Sequence, residues 1–211
     1  MNKTKQPVHF LLNSIMPLCG MLLFFSQLAS GQPYPGKVTL KDNSVRTGYI
    51  DPDQDNGILF GENKTTDQTI AAADIQSYTI DVNGTDDHYI YIEALPPFSN
   101  KPESVKLRAM KIVKEGSITL YEYHLNSAVS FVMGGDWDVL YVKRDAEAQP
   151  TMFCYVEHGM VLGSGYKRPK FKQFAADYFK GCDALVAKIN KGDFKPKHAL
   201  DIVEFFNNQC K

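Results

Sequence analysis

Four carboxylates on one short stretch of the chain have the spacing of a calcium-binding loop. Asp51, Asp53 and Asp55 occupy its first, third and fifth positions. Glu62 occupies the twelfth. A hard cation such as calcium prefers carboxylate oxygens that converge from alternate residues of a tight turn. The sixth position is Asn56 where glycine is usual, and both flanks have strand-like sequence. The same residues therefore also fit a polar hairpin turn, and calcium is the one cofactor that the sequence suggests.

Histidines and aspartates close to predicted strands and turns are candidates for acid–base chemistry. Hydrolysis needs one group that accepts a proton and one that donates it, and histidine and carboxylate side chains do both. No phosphate-binding loop, dinucleotide fingerprint or zinc-hydrolase motif accompanies these residues. We therefore assign no catalytic residue and keep a small secreted hydrolase as an alternative function. Its acid–base groups would converge from Asp74, Asp86, His124 or His158.

A basic cluster stands where the C-terminal part of the chain begins. It consists of Lys167, Arg168 and Lys170, and Lys172 follows closely. Such a cluster attracts an anionic head group or an acidic partner. Cations are slightly unfavourable at the start of a helix, because the helix dipole places partial positive charge there. The cluster is a candidate binding surface, and a solvated loop is the simpler interpretation.

Two pairs of tyrosines alternate along predicted strands. Tyr89 and Tyr91 form one pair, and Tyr121 and Tyr123 form the other. Alternate residues of a strand point to the same face, so each pair forms an aromatic stripe. Exposed stripes would suit sugar stacking or protein binding. With one Trp in the chain, cross-strand packing in the core is the preferred interpretation.

Composition and charge exclude several classes of protein. The 211 residues are 44% hydrophobic and 12% aromatic, which is enough to build a core and too much for a disordered chain. The formal net charge of −1 excludes a generic nucleic-acid binder, which needs a basic surplus. Four Cys without a neighbouring His cluster do not fit a disulfide knot or a structural zinc module.

The first 31 residues have the pattern of a secretory signal peptide. Lys3 and Lys5 precede an apolar run at 15–25, and Ala29, Ser30 and Gly31 supply small residues for cleavage. The apolar run is too short to span a bilayer. We expect cleavage after Gly31, export to the periplasm or the exterior, and no membrane span in the mature chain. A lipid anchor on Cys19 is not favoured, because the residue before it is large.

The sequence from 32 to 165 predicts a β-rich domain. Short runs rich in Val, Ile, Tyr and Phe alternate with turn residues such as Asn83-Gly84. About ten strands at this spacing indicate a mostly antiparallel sandwich or open barrel. A loop with three prolines at 95–104 is a candidate boundary inside this domain. The predicted strands are 38–40, 45–50, 58–60, 75–80, 89–93, 105–113, 117–123, 129–133, 137–143 and 152–156.

Residues 166–211 predict a helical hairpin that packs on the β domain. Apolar residues follow helical spacing from Phe171 to Ile189 and again from Ala199 to Phe206. Gly181 is able to break the first helix in two. Cys182 and Cys210 lie on the two apolar stripes, so antiparallel packing would allow a disulfide and leave Cys154 as the remaining thiol. Three buried thiols are the alternative, because cysteine is a common core residue.

Several short motifs resemble those of a group of uncharacterised exported bacterial proteins. They include GKVTLKD at 36–42, TGYI at 47–50, DYFKGC at 177–182 and FNNQC at 206–210. The resemblance covers most of the mature chain and implies a small β-barrel-type unit at its start. It also implies paired cysteines in the tail, and it brings no known activity.

Export, the fold pattern and the missing catalytic motifs together predict a noncatalytic binding or interaction protein of the cell envelope. Its partner would be an envelope protein or ligand that the sequence does not identify, and not a nucleic acid. The alternatives are the hydrolase described above and a calcium-stabilised scaffold or adhesion piece.

Overall fold

Strands with alternating apolar and polar residues form the body of the protein. The computed structural model describes residues 32–53, 55–125, 136–158, 165–167 and 169–210. The predicted signal segment 1–31 and the predicted strand 129–133 lie outside these ranges. The strands are β1 (Tyr34–Leu40), β2 (Val45–Asp53), β3 (Gly57–Gly61), β4 (Gln68–Ala71), β5 (Ile75–Val82), β6 (Thr85–Ala94), β7 (Lys106–Lys114), β8 (Ile118–Leu125), β9 (Asp136–Arg144), β10 (Thr151–His158) and β11 (Gly165–Lys167). The helices are α1 (Phe171–Tyr178), α2 (Asp183–Lys191) and α3 (Ala199–Gln209).

The described strands pair in one antiparallel sheet. Its order is β11-β10-β9-β8-β7-β6-β5-β1-β2-β3-β4, so β11 and β4 are its edges and the sheet is open. The predicted α+β class, a mostly antiparallel β domain followed by C-terminal helices, is confirmed. The tail contains three helices where the sequence predicts a hairpin. The first two are separated by a turn at Gly181, whose φ of 94° lies in the left-handed region.

Turn chemistry sets the register of the hairpin between β5 and β6. Asn83 and Gly84 have φ angles of 56° and 84° and form its two-residue loop. Turns of this kind need positive φ at both positions, and Asn-Gly is the preferred sequence. The Asp81 carboxylate accepts a hydrogen bond from the Gly84 N–H at 2.6 Å. The Asn-Gly signal in the sequence therefore marks a real turn.

The N-terminal half of the sheet curls around its own core. The Tyr91 hydroxyl on β6 donates a hydrogen bond to the Gly57 carbonyl on β3 at 2.7 Å. Three strands lie between β6 and β3 in the sheet, so only strong curvature brings these two groups together. The buried residues inside the curl are Val38, Ile50, Ile58, Phe60, Ile70, Ile75, Tyr78 and Ile80.

The C-terminal half of the sheet has two differently covered faces, because successive side chains point to opposite sides. One face packs against the three helices and the other forms a second, smaller core. The strand residues in the helix-covered core are Ile118, Leu120, Leu140, Val142, Phe153 and Cys154. The opposite core contains Ala94, Met110, Tyr121, Tyr123, Val139 and Tyr141.

Specific contacts hold the helices to the sheet. The Asn207 side chain on α3 accepts a hydrogen bond from the Ile118 N–H and donates one to the Ile118 carbonyl, both at 2.9 Å, as a neighbouring strand would do.

The helices are also linked to each other. Cys182, just before α2, and Cys210, just after α3, lie at disulfide distance, with their Cα atoms 5.3 Å apart. None of the helices in the described ranges has the length and apolar run that a membrane crossing requires.

Candidate functional site

The carboxylates of the predicted calcium loop point to different partners. Asp51 and Asp53 lie on β2, and burial, followed by the charge of Asp53, raises the pKa of Asp51. Asp55 turns towards β7, where its carboxylate is 2.9 Å from both Arg108 and Lys106. Glu62 is exposed just beyond β3. Among the described residues, no group of three or more His, Cys, Asp or Glu side chains is arranged around a common metal position, and calcium binding stays a prediction.

Asp55 and Arg108 form a buried ion pair that closes the curled sheet. Arg108 is only 4% exposed and also donates a hydrogen bond to the Tyr123 hydroxyl at 3.2 Å. Its guanidinium stands 5.3 Å from the centre of the Tyr123 ring. Because the guanidinium already has a carboxylate, a hydroxyl and an aromatic face around it, the described contacts assign this cluster to the packing of the sheet and not to a ligand site.

The four tyrosines do not share a surface. Tyr89 and Tyr91 pack on the N-terminal core, where Tyr78 stacks on Tyr89 with 4.9 Å between ring centres. Burial raises the pKa of Tyr89 to about 12. Tyr121 and Tyr123 lie in the smaller core of the C-terminal half, on the sheet face opposite the helices, and are 7% and 4% exposed.

The candidate acid–base residues occupy separate elements. Asp74 and Asp86 are both exposed, Asp74 in the short turn before β5 and Asp86 on β6. The His124 Nδ1 atom on β8 lies 2.6 Å from the carboxylate of Asp138 on β9. Burial and the nearby Asp138 charge raise the pKa of Glu122 on the same strand. The side chain of His158 lies outside the described part of the structure.

The basic cluster is described at one of its three predicted positions. Lys170 is exposed and immediately precedes α1, with φ 55° and ψ 35°. This is the left-handed conformation, which a residue with a Cβ rarely adopts. The Lys167 side chain and the whole of Arg168 fall outside the described residues.

Lys170 lies at the mouth of a cleft of about 820 Å³. The cleft is bounded by β10, by the start of α1 and by the loop after α2, and we call it the lysine cleft. Its floor includes Phe171, which is 8% exposed, and Phe194, which both pack on the helix-covered core, and Tyr155 of β10 borders it. The residues that line it are Tyr155, Pro169, Lys170, Phe171, Lys172, Gln173, Gly192, Phe194, Lys195 and Pro196.

Among the described residues that line it, the charge in the lysine cleft has a single sign. Its charged lining residues are Lys170, Lys172 and Lys195, although the chain as a whole is slightly acidic. Lys172 donates a hydrogen bond to the Asn190 carbonyl at 2.6 Å and so ties α1 to the end of α2. No acidic side chain in the described ranges forms an ion pair with these three lysines. Within the described residues, the cleft therefore presents positive charge without an ion-paired carboxylate, above an apolar floor.

An aromatic cluster surrounds the ring of Tyr155, which packs on the sheet face opposite the helices while the residue itself borders the lysine cleft. The Phe98 ring, on the loop between β6 and β7, lies 5.3 Å from Trp137 and 5.0 Å from Tyr155, edge-on to both. Phe98 is 54% exposed and has a φ of 62°, again in the left-handed region. Strained backbone of this kind persists when the surrounding packing or a function requires it. We call Phe98, Trp137 and Tyr155 the aromatic triad.

A second depression has a different character. It measures about 780 Å³ and lies beside the edge strand β4. Its lining contains Arg46, Glu62 and Asp67, so both signs of charge are present, and Arg46 already donates to Gln68 at 3.1 Å. Because its lining carries both signs of charge, this depression is less suited than the lysine cleft to select ligands of one charge.

Sequence reasoning finds Lys170 and misses Lys195, Phe194 and Tyr155. These residues meet because α1 and α2 fold back at the Gly181 turn, which brings the end of α2 beside the start of α1. The signal available in the sequence is the pair of short helical runs on either side of Gly181, the first of which begins, and the second of which ends, near a lysine-rich segment.

A functional role for this protein is assigned from the geometry of the lysine cleft. Three comparisons, with protein-family models, with curated proteins and with solved structures, find no match to the chain. A role for the lysine cleft is therefore inferred from the side chains that line it, which form an apolar floor with a rim of lysines.

Proposed function

We propose that the protein is an exported, noncatalytic binding protein of the cell envelope and that the lysine cleft holds its ligand. The ligand is anionic. One observation carries this proposal, namely that Lys170, Lys172 and Lys195 surround an apolar cleft of about 820 Å³ without an acidic partner among the described residues. Clefts of about 300–1,000 Å³ with a few converging polar groups are typical ligand sites.

Export is supported by two independent features. The segment 1–31 has the basic, apolar and small-residue order of a secretory signal. Cys182 and Cys210 lie at disulfide distance, and disulfides persist in oxidising compartments. The resemblance to exported bacterial proteins belongs to the same proposal. N-terminal sequencing of the secreted chain tests it, with Gln32 as the expected first residue.

Binding without catalysis is supported by the type of side chain in the cleft. Lysine ammonium groups hold a carboxylate or phosphate through charge and hydrogen bonds. Lys172 is positioned in advance by its bond to the Asn190 carbonyl, so less side-chain entropy is lost when an anion binds.

A secreted hydrolase is the second candidate, and the His124–Asp138 contact favours it. A histidine 2.6 Å from a carboxylate, close to a Glu122 whose pKa is raised, has the parts of a general acid–base pair. Hydrolysis of ester or glycoside substrates that disappears in both His124→Ala and Glu122→Gln variants would support this candidate over binding.

The test of the binding proposal compares lysines inside and outside the cleft. The purified protein is incubated with a small-molecule extract of the envelope, and retained compounds are identified by mass spectrometry. The Lys170→Glu/Lys195→Glu variant should lose the retained anions. The Lys180→Glu/Lys197→Glu variant has the same net charge, changes two exposed lysines outside the cleft lining, and should keep them. Equal retention by both variants would overturn the proposal.

A further inference from the structure

We infer that the ligand of the lysine cleft is an anionic amphiphile, a single apolar chain that ends in a carboxylate or phosphate. This inference rests on the proposed function and specifies the ligand that the site accepts. It follows from the separation of charge and apolar surface within the cleft and from the size of the cleft.

The charged and apolar parts of the cleft require two kinds of chemistry in one ligand. Lys170, Lys172 and Lys195 are exposed at the rim, where an anionic group remains partly solvated. Phe171 and Phe194 supply the apolar part of the lining together with two prolines. An inorganic anion would use the lysines alone, and a neutral hydrocarbon would use the floor alone.

The size of the cleft suits a chain longer than a small metabolite. A volume of about 820 Å³ lies near the upper end of the usual range for ligand clefts. Burial of each methylene group increases affinity about fourfold, because apolar surface leaves water. A chain that fills the floor therefore supplies affinity that the lysines alone do not.

The aromatic triad lies on the sheet face opposite the helices and meets the cleft only at Tyr155. Tyr155 lines the cleft and also contacts Phe98 and Trp137, with 5.0 Å and 5.8 Å between ring centres. Phe98 is held in a strained left-handed conformation and still exposes half of its ring. The apolar surface offered to a ligand chain is therefore that of Phe171, Phe194 and the two prolines, and the triad supplies a reporter beside the cleft residue Tyr155.

Trp137 makes the inference measurable, because it is the only Trp in the chain and its ring touches a cleft residue. Bromine atoms on a chain in the cleft would quench its fluorescence. Dibrominated octadecanoate is titrated into the purified protein below its micelle concentration. Dibrominated octadecanol has the same chain without charge, and acetate and inorganic phosphate have charge without a chain.

The octadecanoate should quench Trp137 with an affinity at least tenfold higher than that of the alcohol. Lys195→Glu should weaken the octadecanoate about tenfold, whereas Lys197→Glu, two residues away and outside the cleft lining, should stay within twofold. Unchanged melting temperatures of both variants show that folding is intact. Competition by a lysophosphatidic acid as strong as that by unbrominated octadecanoate would identify a phosphate head group as an equal occupant.

Two results separate failure of the inference from failure of the proposed function. If acetate or phosphate displaces envelope anions as effectively as octadecanoate does, the cleft binds anions and the amphiphile inference is wrong. The same conclusion follows if the alcohol quenches as strongly as the octadecanoate. If neither octadecanoate nor any anion of the envelope extract binds, the proposed function itself is wrong.

Discussion

Replacing Lys170 with asparagine should make the protein more stable and its cleft a weaker anion site. Lys170 destabilises the folded protein in two ways. Its φ of 55° and ψ of 35° place a residue with a Cβ in the left-handed region. Its charge also stands at the start of α1, where the helix dipole is positive. Asparagine tolerates the left-handed conformation and removes the charge.

The magnitude follows from these two terms. Relief of the left-handed backbone by asparagine recovers about half of its cost of roughly 1–2 kcal/mol. Removal of a cation from the helix start contributes about 0.3–1 kcal/mol. A net gain of about 1 kcal/mol corresponds to a rise of about 2–4 °C in the melting temperature of a chain of this size. Loss of one charged hydrogen bond to the ligand should weaken binding about tenfold.

Thermal unfolding followed by circular dichroism measures the first effect, and Trp137 quenching by the brominated octadecanoate measures the second. Lys180→Asn is the matched control, because Lys180 is exposed, has no positive φ and does not line the cleft. It should change neither quantity appreciably. A Lys170→Asn variant that melts at a lower temperature, or that binds the octadecanoate as well as the unchanged protein, would refute the reasoning.

Three further predictions concern the scaffold. Asp55→Asn leaves the Arg108 guanidinium buried without its carboxylate, so urea unfolding should show a loss of about 3 kcal/mol, partly restored when Arg108→Met is added. Burial raises the pKa of Tyr89 to about 12, so the folded state keeps a proton that the unfolded chain releases above about pH 10. Its contribution to stability is therefore complete below pH 10 and should be lost as the pH rises towards 12, which melting temperatures measured across this range will detect. Reduction of the Cys182–Cys210 pair, separated by 28 positions, should lower the free energy of unfolding by about 3–4 kcal/mol.

Each of these has an outcome that contradicts it. Wild-type stability of Asp55→Asn would mean that the ion pair is not buried as described. Tyrosine absorbance that titrates fully near pH 10 while the fold is intact would remove the pH prediction. Alkylation of the denatured, unreduced mature chain should block one thiol, and three blocked thiols would exclude the disulfide.

Local features of the fold follow from the sequence, because they depend on neighbouring residues. Asn83-Gly84 predicts its hairpin, since few other pairs accept positive φ at both positions. Gly181 separates α1 from α2 and places Cys182 at the start of the second helix. The pairing with Cys210 then becomes geometrically simple, because both cysteines lie at the same end of the α2–α3 pair.

Contacts between distant segments do not follow from periodicity. Carboxylate spacing makes Asp55 look like a metal ligand, but its partner Arg108 is 53 positions away on a strand that only sheet curvature brings near. Alternation correctly places Tyr121 and Tyr123 on one face, yet it does not show whether that face is covered. Lys195 joins Lys170 only after two helices pack, and neither residue indicates the other in the sequence.

Photochemical crosslinking gives the most direct test of the lysine cleft as the ligand site. The purified protein is irradiated with a fatty acid that carries a diazirine on its chain, and the modified peptides are sequenced. Adducts should concentrate at residues 169–173 and 192–196 and on Tyr155, and an excess of unlabelled octadecanoate should remove them. Adducts that instead gather around Arg46 and Gln68, beside the edge strand β4, would contradict the assignment of the ligand site to the lysine cleft.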